Sequence, residues 1–172
     1  MRLFIAVWPS VEVGRAVADI GRPTVPGLRW TPSDQWHVTL RFCGEVPDGE
    51  VPALVDAVRT GLAGQPPVRA AVGDTTARFG RSGILHLPVL GLDDVAARVR
   101  AASAPFGDAD DGRPFRAHLT LARARRGLPG HVIGRPIEWA DEWPVAEVAV
   151  VANTLDPAGA RYRNEVTITL DG

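Results

Sequence analysis

Residues 36–42 read WHVTLRF, and residues 117–123 read AHLTLAR. In both stretches polar and apolar residues alternate, which is typical of a strand with one buried face. Side chains two positions apart share a face of a strand, so each stretch presents a His and a Thr together over an apolar backing. The pairs are His37 with Thr39, and His118 with Thr120. Because nearly half the chain separates them, the repeat predicts two related lobes, each contributing one strand to a shared polar surface.

The patterning around these stretches predicts an α+β domain with antiparallel sheets and hairpins. We expect strands at 3–7, 36–42, 68–77, 84–90, 115–122, 145–155 and 162–170, and helices at 11–20, 52–62 and 94–104. Ser10 and Asp93 are the expected N-caps of the first and third helices. At 172 residues the length suits a single domain, residues 1–172, with two lobes.

Composition excludes several classes of mechanism. All 19 basic residues are Arg, so P-loop, Schiff-base and lysyl-nucleotidyl chemistry, which need a Lys, are ruled out. The net charge of -1 means that nucleic acid binding must depend on a local patch. No segment approaches the roughly 20 apolar residues of a membrane helix, and the single Cys43 cannot form an internal disulfide. We therefore expect a cytoplasmic protein that does not bind membranes.

Two His-Thr pairs suit the opening of a phosphate diester, particularly a cyclic one. That reaction needs a base for the attacking water and an acid for the departing oxygen, and histidine can serve as either near neutral pH. Threonine hydroxyls can donate to the non-bridging oxygens, where charge concentrates. No metal or cofactor is needed in this scheme. The pattern is also compatible with ordinary strands whose polar faces tolerate His and Thr.

Two more residues of the first stretch are candidates for substrate contact. By strict alternation Arg41 shares the face of His37, where it could reach the phosphate or line the rim. Phe42 could stack on a nucleotide base, or it could pack in the core with Val38 and Leu40.

The remaining histidines give little support to a metal site. His86 alternates within ILHLPV and is expected on a sheet surface, and His131 lies in a predicted loop. Zinc sites usually show close ligand spacing, as in His-Glu-x-x-His, and that spacing does not occur in this sequence.

Blocks along most of the chain resemble the two-histidine phosphoesterases, and among them the LigT-like RNA 2′,3′-cyclic phosphodiesterases. The blocks are RLFIAV (2–7), RWTPSDQWHVTLRFCGEV (29–46), RFGRSGILHLPV (78–89), PFRAHLTLAR (114–123) and ANTLDPAGARYRNEVTITL (152–170). The resemblance implies a bilobal fold in which two antiparallel sheets with pseudo-two-fold symmetry face a central cleft, with the helices outside. Three positions depart from that family's usual residues: Cys43 replaces leucine, Ala117 replaces proline, and Asn153/Thr154 stand where serine is common.

The resemblance also implies an activity, namely hydrolysis of an RNA-terminal 2′,3′-cyclic phosphate to a 2′-phosphate, without a cofactor. Some members also join RNA reversibly through a 2′-5′ bond without ATP. Carried over by motif, His37 would be the general acid on the 3′-oxygen and His118 the general base on water. Thr39 and Thr120 would hold the phosphate. The expected partner is RNA or an oligonucleotide ending in the cyclic phosphate, bound by a monomer.

Arginines after the second motif extend the candidate site. Arg123 corresponds to a family position that contacts phosphate or substrate, yet strict alternation points it away from His118. Phosphate contact therefore requires the strand to bend or end after Leu121. Arg125 and Arg126 continue the basic run where an RNA backbone could lie, or they form a solvated cluster.

Three alternatives remain open at the level of sequence. The first is a two-histidine phosphoesterase acting on another cyclic or 2′-5′-linked oligonucleotide phosphate, such as ADP-ribose cyclic phosphate or 2′-5′ oligoadenylate. The second is a non-catalytic module that binds RNA ends. The third is a metal hydrolase, which chelator would inactivate.

Overall fold

The structure, a computed structural model, describes residues 1–110, 112–137, 142–156 and 159–172. Its strands are β1 (Arg2–Val7), β2 (Leu28–Trp30), β3 (Val38–Glu45), β4 (Val68–Val72), β5 (Ala77–Arg78), β6 (Ile84–Leu90), β7 (His118–Ala124), β8 (Glu142–Val145), β9 (Glu147–Asp156) and β10 (Gly159–Thr169). The helices are α1 (Val11–Ala18), α2 (Val51–Leu62) and α3 (Asp93–Ser103). Short 3₁₀ turns occur at Ser33–Gln35, Asp48–Glu50 and Gly130–Val132.

The strands follow one antiparallel path in the order β10-β9-β1-β3-β7-β6-β4-β8, with β2 beside β7 and β5 beside β6. The path has two four-stranded halves, which are joined where Val38 of β3 pairs with Leu119 of β7. The predicted α+β class and two-lobed antiparallel arrangement are confirmed. The two expected sheets are the two halves of this path, and each half carries one His-Thr motif near the junction.

The main core lies on the face of the sheet that the helices cover. From β1 it receives Leu3, Ile5 and Val7, all almost fully buried. Helix α1 adds Val13 and Val17, four positions apart as the side of a helix requires. Helices α2 and α3 pack against each other, and α3 also contacts β3. This packing fixes the back of β3, and Leu119 and Leu121 of β7 are buried in the same core.

A smaller apolar cluster lies on the opposite face of β1. Phe4, Ala6, Ala149 and Val151 form it, and the partly buried rings of Trp8 and Tyr162 pack against it. Because alternate residues of β1 point to opposite faces, this cluster faces the side away from the helices. This cluster gives the open face of that half an aromatic and apolar patch.

Local signals account for several element boundaries. The Ser10 hydroxyl accepts a hydrogen bond of 3.2 Å from the backbone N–H of Val13, so the predicted N-cap of α1 is confirmed. The predicted cap Asp93 is wrong by one position, since α3 begins at Asp93 and its N-cap is Leu92. Asp93 in the first turn still favours the helix through its charge. In the part of the chain that the structure describes, no helix is long and apolar enough to cross a membrane.

Candidate active site

The two motif histidines are held in the same way. His37 immediately precedes β3, and its Nδ1 lies 2.7 Å from the carbonyl oxygen of Gln35. His118 is the first residue of β7, and its Nδ1 lies 2.8 Å from the carbonyl oxygen of Arg116. A carbonyl oxygen only accepts, so in each neutral ring the proton belongs on Nδ1 and the lone pair on Nε2. Both rings are thus oriented to exchange a proton through Nε2.

His37 sits in an aromatic surrounding. Its ring centroid lies 4.8 Å from that of Phe4, 5.8 Å from that of Trp8 and 5.2 Å from that of Tyr162. Burial lowers the pKa of His37, and the charges of Arg123 and His118 lower it further, while the Gln35 carbonyl opposes the shift. Burial among apolar rings disfavours the charged imidazolium, which is the physical cause of the larger part of the shift.

His118 has a different set of neighbours. The Phe79 ring meets it edge-on at 4.8 Å, and the His86 ring lies 5.2 Å away. Phe79 and His86 are themselves stacked with centroids 4.0 Å apart. Burial lowers the pKa of His118, the Arg116 carbonyl raises it, and the charge of Arg123 lowers it. His86, expected on a sheet surface, is 3% exposed, and burial together with the charge of His118 lowers its pKa to about 4.

Both motif strands contain the same bulge, three residues after the histidine. In β3, Thr39 pairs with Ala6 and Arg41 with Ile5, so Leu40 has no partner in the ladder. In β7 the corresponding pairs are Thr120 with His86 and Ala122 with Leu85, so Leu121 has no partner. One unpaired residue shifts the alternation of the strand by one position. The fifth residue after each histidine therefore returns to the face of that histidine.

Those fifth residues are Phe42 and Arg123. Phe42 lies opposite Phe4, whose ring contacts His37, and directly opposite residues share a face. It is 44% exposed, so the alternative of core packing is wrong. Arg123 is exposed, and its charge adds to the lowering by burial of the pKa of His37 and His118. Burial raises the pKa of Tyr162, and the charge of Arg123 opposes that shift. The bend after Leu121 that a cleft-facing Arg123 requires is present.

Arg41 does not share the face of His37, and that expectation is wrong because of the bulge. It pairs with Ile5, which is buried in the main core, and only 5% of Arg41 is exposed. Its Nη2 donates hydrogen bonds to the carbonyl oxygens of Phe106 (3.1 Å) and Asp108 (3.0 Å). The guanidinium therefore ties the segment after α3 to β3. Its predicted substrate contact stays a prediction.

A cavity of about 680 Å³ opens beside Thr39 and His118. Its aromatic walls are Phe42, Phe79 and Phe115, and its charged residues are Arg41, Arg100, Asp108, Asp110, Arg113 and Arg116. Two hydrogen bonds of 2.7 Å from Arg100 to Asp110 fix its rim and lower the pKa of Asp110 to about 2. Such a volume is in the range of small-molecule sites and has room for a nucleoside.

The remaining candidates lie outside this centre. Arg125 and Arg126 are exposed just after β7 ends at Ala124, and His131 is exposed in the turn Gly130–Val132. Cys43 is fully buried, as expected for a small apolar residue. Among the residues the structure describes, no group of three or more His, Cys, Asp or Glu side chains could hold a metal ion.

The comparisons agree with this geometry. The model of the 2′-5′ RNA ligase superfamily matches residues 11–155. The chain belongs to the 2′-5′ RNA ligase superfamily. It is 30% identical to a Thermus thermophilus protein named RNA 2′,3′-cyclic phosphodiesterase, over 94% of this chain and 86% of that one. A Geobacillus stearothermophilus protein of the same name is 29% identical over 72% of this chain and 42% of its own length.

Solved structures of the superfamily share the fold. E. coli LigT complexed with 3′-AMP superposes with a TM-score of 0.83 at 26% identity, covering 99% of this chain and 98% of that one. The resemblance read from the sequence blocks is thereby confirmed. Sequence reasoning missed the rings of Tyr162, Phe79 and Phe4 around the histidines. These three residues lie within the sequence blocks that resemble the family, and that resemblance was the one feature that could have predicted their position. The residues next to them in the sequence do not show that their rings contact the histidines.

Proposed function

We propose that this protein hydrolyses the 2′,3′-cyclic phosphate at the end of an RNA strand and leaves a 2′-phosphate. The observation that carries the proposal is the mirrored pair of histidines, each anchored through Nδ1 with a threonine two residues later on β3 or β7. The names of its relatives support the same substrate. In this proposal residues 1–172 act as one domain, in a cytoplasmic monomer that needs no metal or cofactor.

The proposed reaction moves one proton at each histidine. Nε2 of His118 takes a proton from water as the water oxygen bonds to phosphorus. The bond from phosphorus to the 3′-oxygen breaks, and Nε2 of His37 gives its proton to that oxygen. This assignment of acid and base rests on the resemblance, because the two anchoring hydrogen bonds are alike. Thr39 and Thr120 donate to the non-bridging oxygens, where charge builds up.

The same steps with a different nucleophile would join RNA. If the 5′-hydroxyl of a second strand takes the place of water, its oxygen bonds to phosphorus and a 2′-5′ linkage forms as the 3′-oxygen leaves. The cyclic ester already carries the phosphoryl group, so ATP is not consumed. We include reversible 2′-5′ ligation in the proposal on this ground.

The nucleoside of the substrate has a place beside the reacting phosphate. In the proposal it enters the 680 Å³ cavity, where Phe42 offers an exposed aromatic face for base stacking. Arg123 supplies positive charge next to both histidines. Arg125 and Arg126 lie past the end of β7, where they attract the phosphates of the RNA backbone that leads to the terminal nucleotide.

The test is incubation with an oligonucleotide ending in a 2′,3′-cyclic phosphate, in the presence of chelator, with 2′- and 3′-phosphate products resolved. We expect a 2′-phosphate from the native protein. His37→Ala and His118→Ala should each lower turnover by roughly 10²–10⁴-fold, as for lost acid–base catalysis. His131→Ala is the matched control, because that ring is exposed and outside the site. Full activity in either motif variant would remove that histidine from the mechanism.

The same assay separates the other functions. Faster turnover of ADP-ribose cyclic phosphate or 2′-5′ oligoadenylate would assign a different phosphoesterase substrate. RNA binding without any turnover would assign an end-binding module. Loss of activity in chelator would assign a metal hydrolase.

A further inference from the structure

Strand β2 brings an unforeseen arginine to the site. Its three residues pair with β7 in the order Leu28 to Ala124, Arg29 to Arg123 and Trp30 to Ala122. Leu28 and Trp30 pack against the main core, so the residue between them points to the opposite face. Arg29 is exposed there, directly beside Arg123.

This pairing places two positive charges next to each other. Directly opposite residues of antiparallel strands have Cβ atoms about 5 Å apart, and like charges in such a pair destabilise the sheet. In the described ranges neither Arg29 nor Arg123 forms an ion pair with a carboxylate. Within the described part of the protein, the pair therefore presents two unpaired guanidinium charges to solvent, and such a pair attracts an anion.

The position of the pair points to the kind of anion. The bulge at Leu121 puts Arg123 on the face of His118 and Thr120, so it borders the proposed reacting phosphate. Arg29 lies one strand further from His86 and β6, beside the end of β7 that leads to Arg125. A guanidinium here can bind a phosphate with two parallel hydrogen bonds. An RNA strand supplies a second, non-reacting phosphate close to its terminal one.

We infer that Arg29, held beside Arg123, binds a non-reacting backbone phosphate of the RNA, so that the enzyme prefers RNA ends over nucleoside 2′,3′-cyclic monophosphates. The inference rests on the proposed function and deepens it, because it names a polynucleotide as the substrate. In this inference Arg123 binds the reacting phosphate, and Arg29 binds the next phosphate along the RNA strand.

The test compares two substrates in Arg29→Gln. One is a trinucleotide ending in a 2′,3′-cyclic phosphate, and the other is adenosine 2′,3′-cyclic monophosphate, which has no second phosphate. We expect kcat/KM to fall about tenfold on the trinucleotide, as loss of one charge-assisted hydrogen bond would cause. On the monophosphate it should stay within about twofold. Arg15→Gln, which removes an exposed arginine of α1, is the control and should change neither.

Salt dependence provides an independent measurement. For the trinucleotide, the slope of log kcat/KM against log salt concentration should become shallower by about 0.7 in Arg29→Gln, as expected for one lost phosphate contact on a single strand. Equal losses on both substrates would mean that Arg29 supports the catalytic centre instead. No loss on either would mean a solvated surface charge. Both results overturn the inference.

A binding assay keeps the inference separate from the proposed activity. If the native protein turns over no cyclic phosphate, the proposed function fails, and the subsite is judged by fluorescence anisotropy with a labelled trinucleotide 3′-phosphate. Weaker binding of that probe by Arg29→Gln than by Arg15→Gln would support the subsite. Equal binding by the two variants would reject it.

Discussion

Arg123 influences both motif histidines through its charge. Burial of the rings, and to a smaller extent this guanidinium, lower the pKa of His37 and of His118 below the usual 6.5. Since kcat/KM reports groups of the free enzyme, the bell-shaped pH profile should be centred below pH 6.5. In Arg123→Gln a positive charge is removed, both pKa values rise, and the whole profile should move to higher pH.

Measurement of kcat/KM on a cyclic monophosphate from pH 4.5 to 8.5 checks this prediction. The base must be neutral and the acid protonated, so raising both pKa values moves the acidic and the alkaline limbs in the same direction. Arg125→Gln is the control, because that residue lies beyond the end of β7. A profile in Arg123→Gln that stays in place or moves to lower pH would contradict the electrostatic role, whatever the change in its height.

Residues whose place depends on local alternation could be predicted from the sequence. The two-residue period of a strand is enough to predict that each motif histidine shares a face with its threonine, and the structure has this arrangement for His37 with Thr39 and for His118 with Thr120. Arg29 could not be predicted in this way, since its place follows from the pairing of β2 with a strand almost a hundred positions later. Register between distant strands is set by packing of the whole sheet.

The bulges of β3 and β7 are the element-scale feature that changes the site. A sequence shows alternation, but the extra residue of a bulge leaves no mark on composition. Strict alternation therefore predicted the wrong face of β3 for Arg41. By contrast, β6 was predicted at its observed bounds, because turn residues precede it and apolar residues occupy all of its positions except that of His86. The short β2 and β8 were missed, since three or four residues show no clear period.

The buried placement of Arg41 predicts a structural role. Its hydrogen bonds to the Phe106 and Asp108 carbonyls hold the segment that borders the cavity. Arg41→Met keeps the length of the side chain and removes the donors. We expect the free energy of unfolding to fall by about 1.5–3 kcal/mol, as for hydrogen bonds from a charged group. Arg59→Met, at an exposed ion pair, should cost below about 1 kcal/mol.

Urea unfolding of the two variants at neutral pH measures the difference. Equal stabilities for Arg41→Met and Arg59→Met would show that the guanidinium is not needed to hold the segment. A large loss of kcat/KM in Arg41→Met with native stability would instead restore Arg41 as a residue for substrate contact.

At the scale of the whole molecule, the two halves of the sheet share the same strand and bulge arrangement but carry different residues at equivalent positions. The position opposite the motif threonine is Ala6 in one half and His86 in the other, and the fifth residue after the histidine is Phe42 or Arg123. The two histidines therefore have different neighbours, which are three aromatic rings around His37 and the rings of Phe79 and His86 beside His118. This difference, which the near-identical motifs do not show, gives the two histidines unequal surroundings, as the proposed roles of acid and base require.

The buried imidazole of His86 makes the stability of the whole fold depend on pH. Burial and the charge of His118 lower its pKa to about 4 in the folded state, against about 6.5 in an unfolded chain. Between these values the unfolded chain binds more protons than the native one, so stability must fall as pH falls from 6.5 toward 4. His37 and His118 contribute in the same direction, because their pKa values are also lowered by burial.

His86→Gln removes the titrating group and should flatten this decline. The variant can be less stable at pH 7 and still lose less free energy of unfolding between pH 6.5 and 4.5 than the native protein does. Urea unfolding at several pH values across this window measures the slope. His131→Gln, which changes an exposed ring, should retain the native slope. A native slope in His86→Gln would mean that folding does not lower the pKa of His86, and that the acid sensitivity arises from other groups.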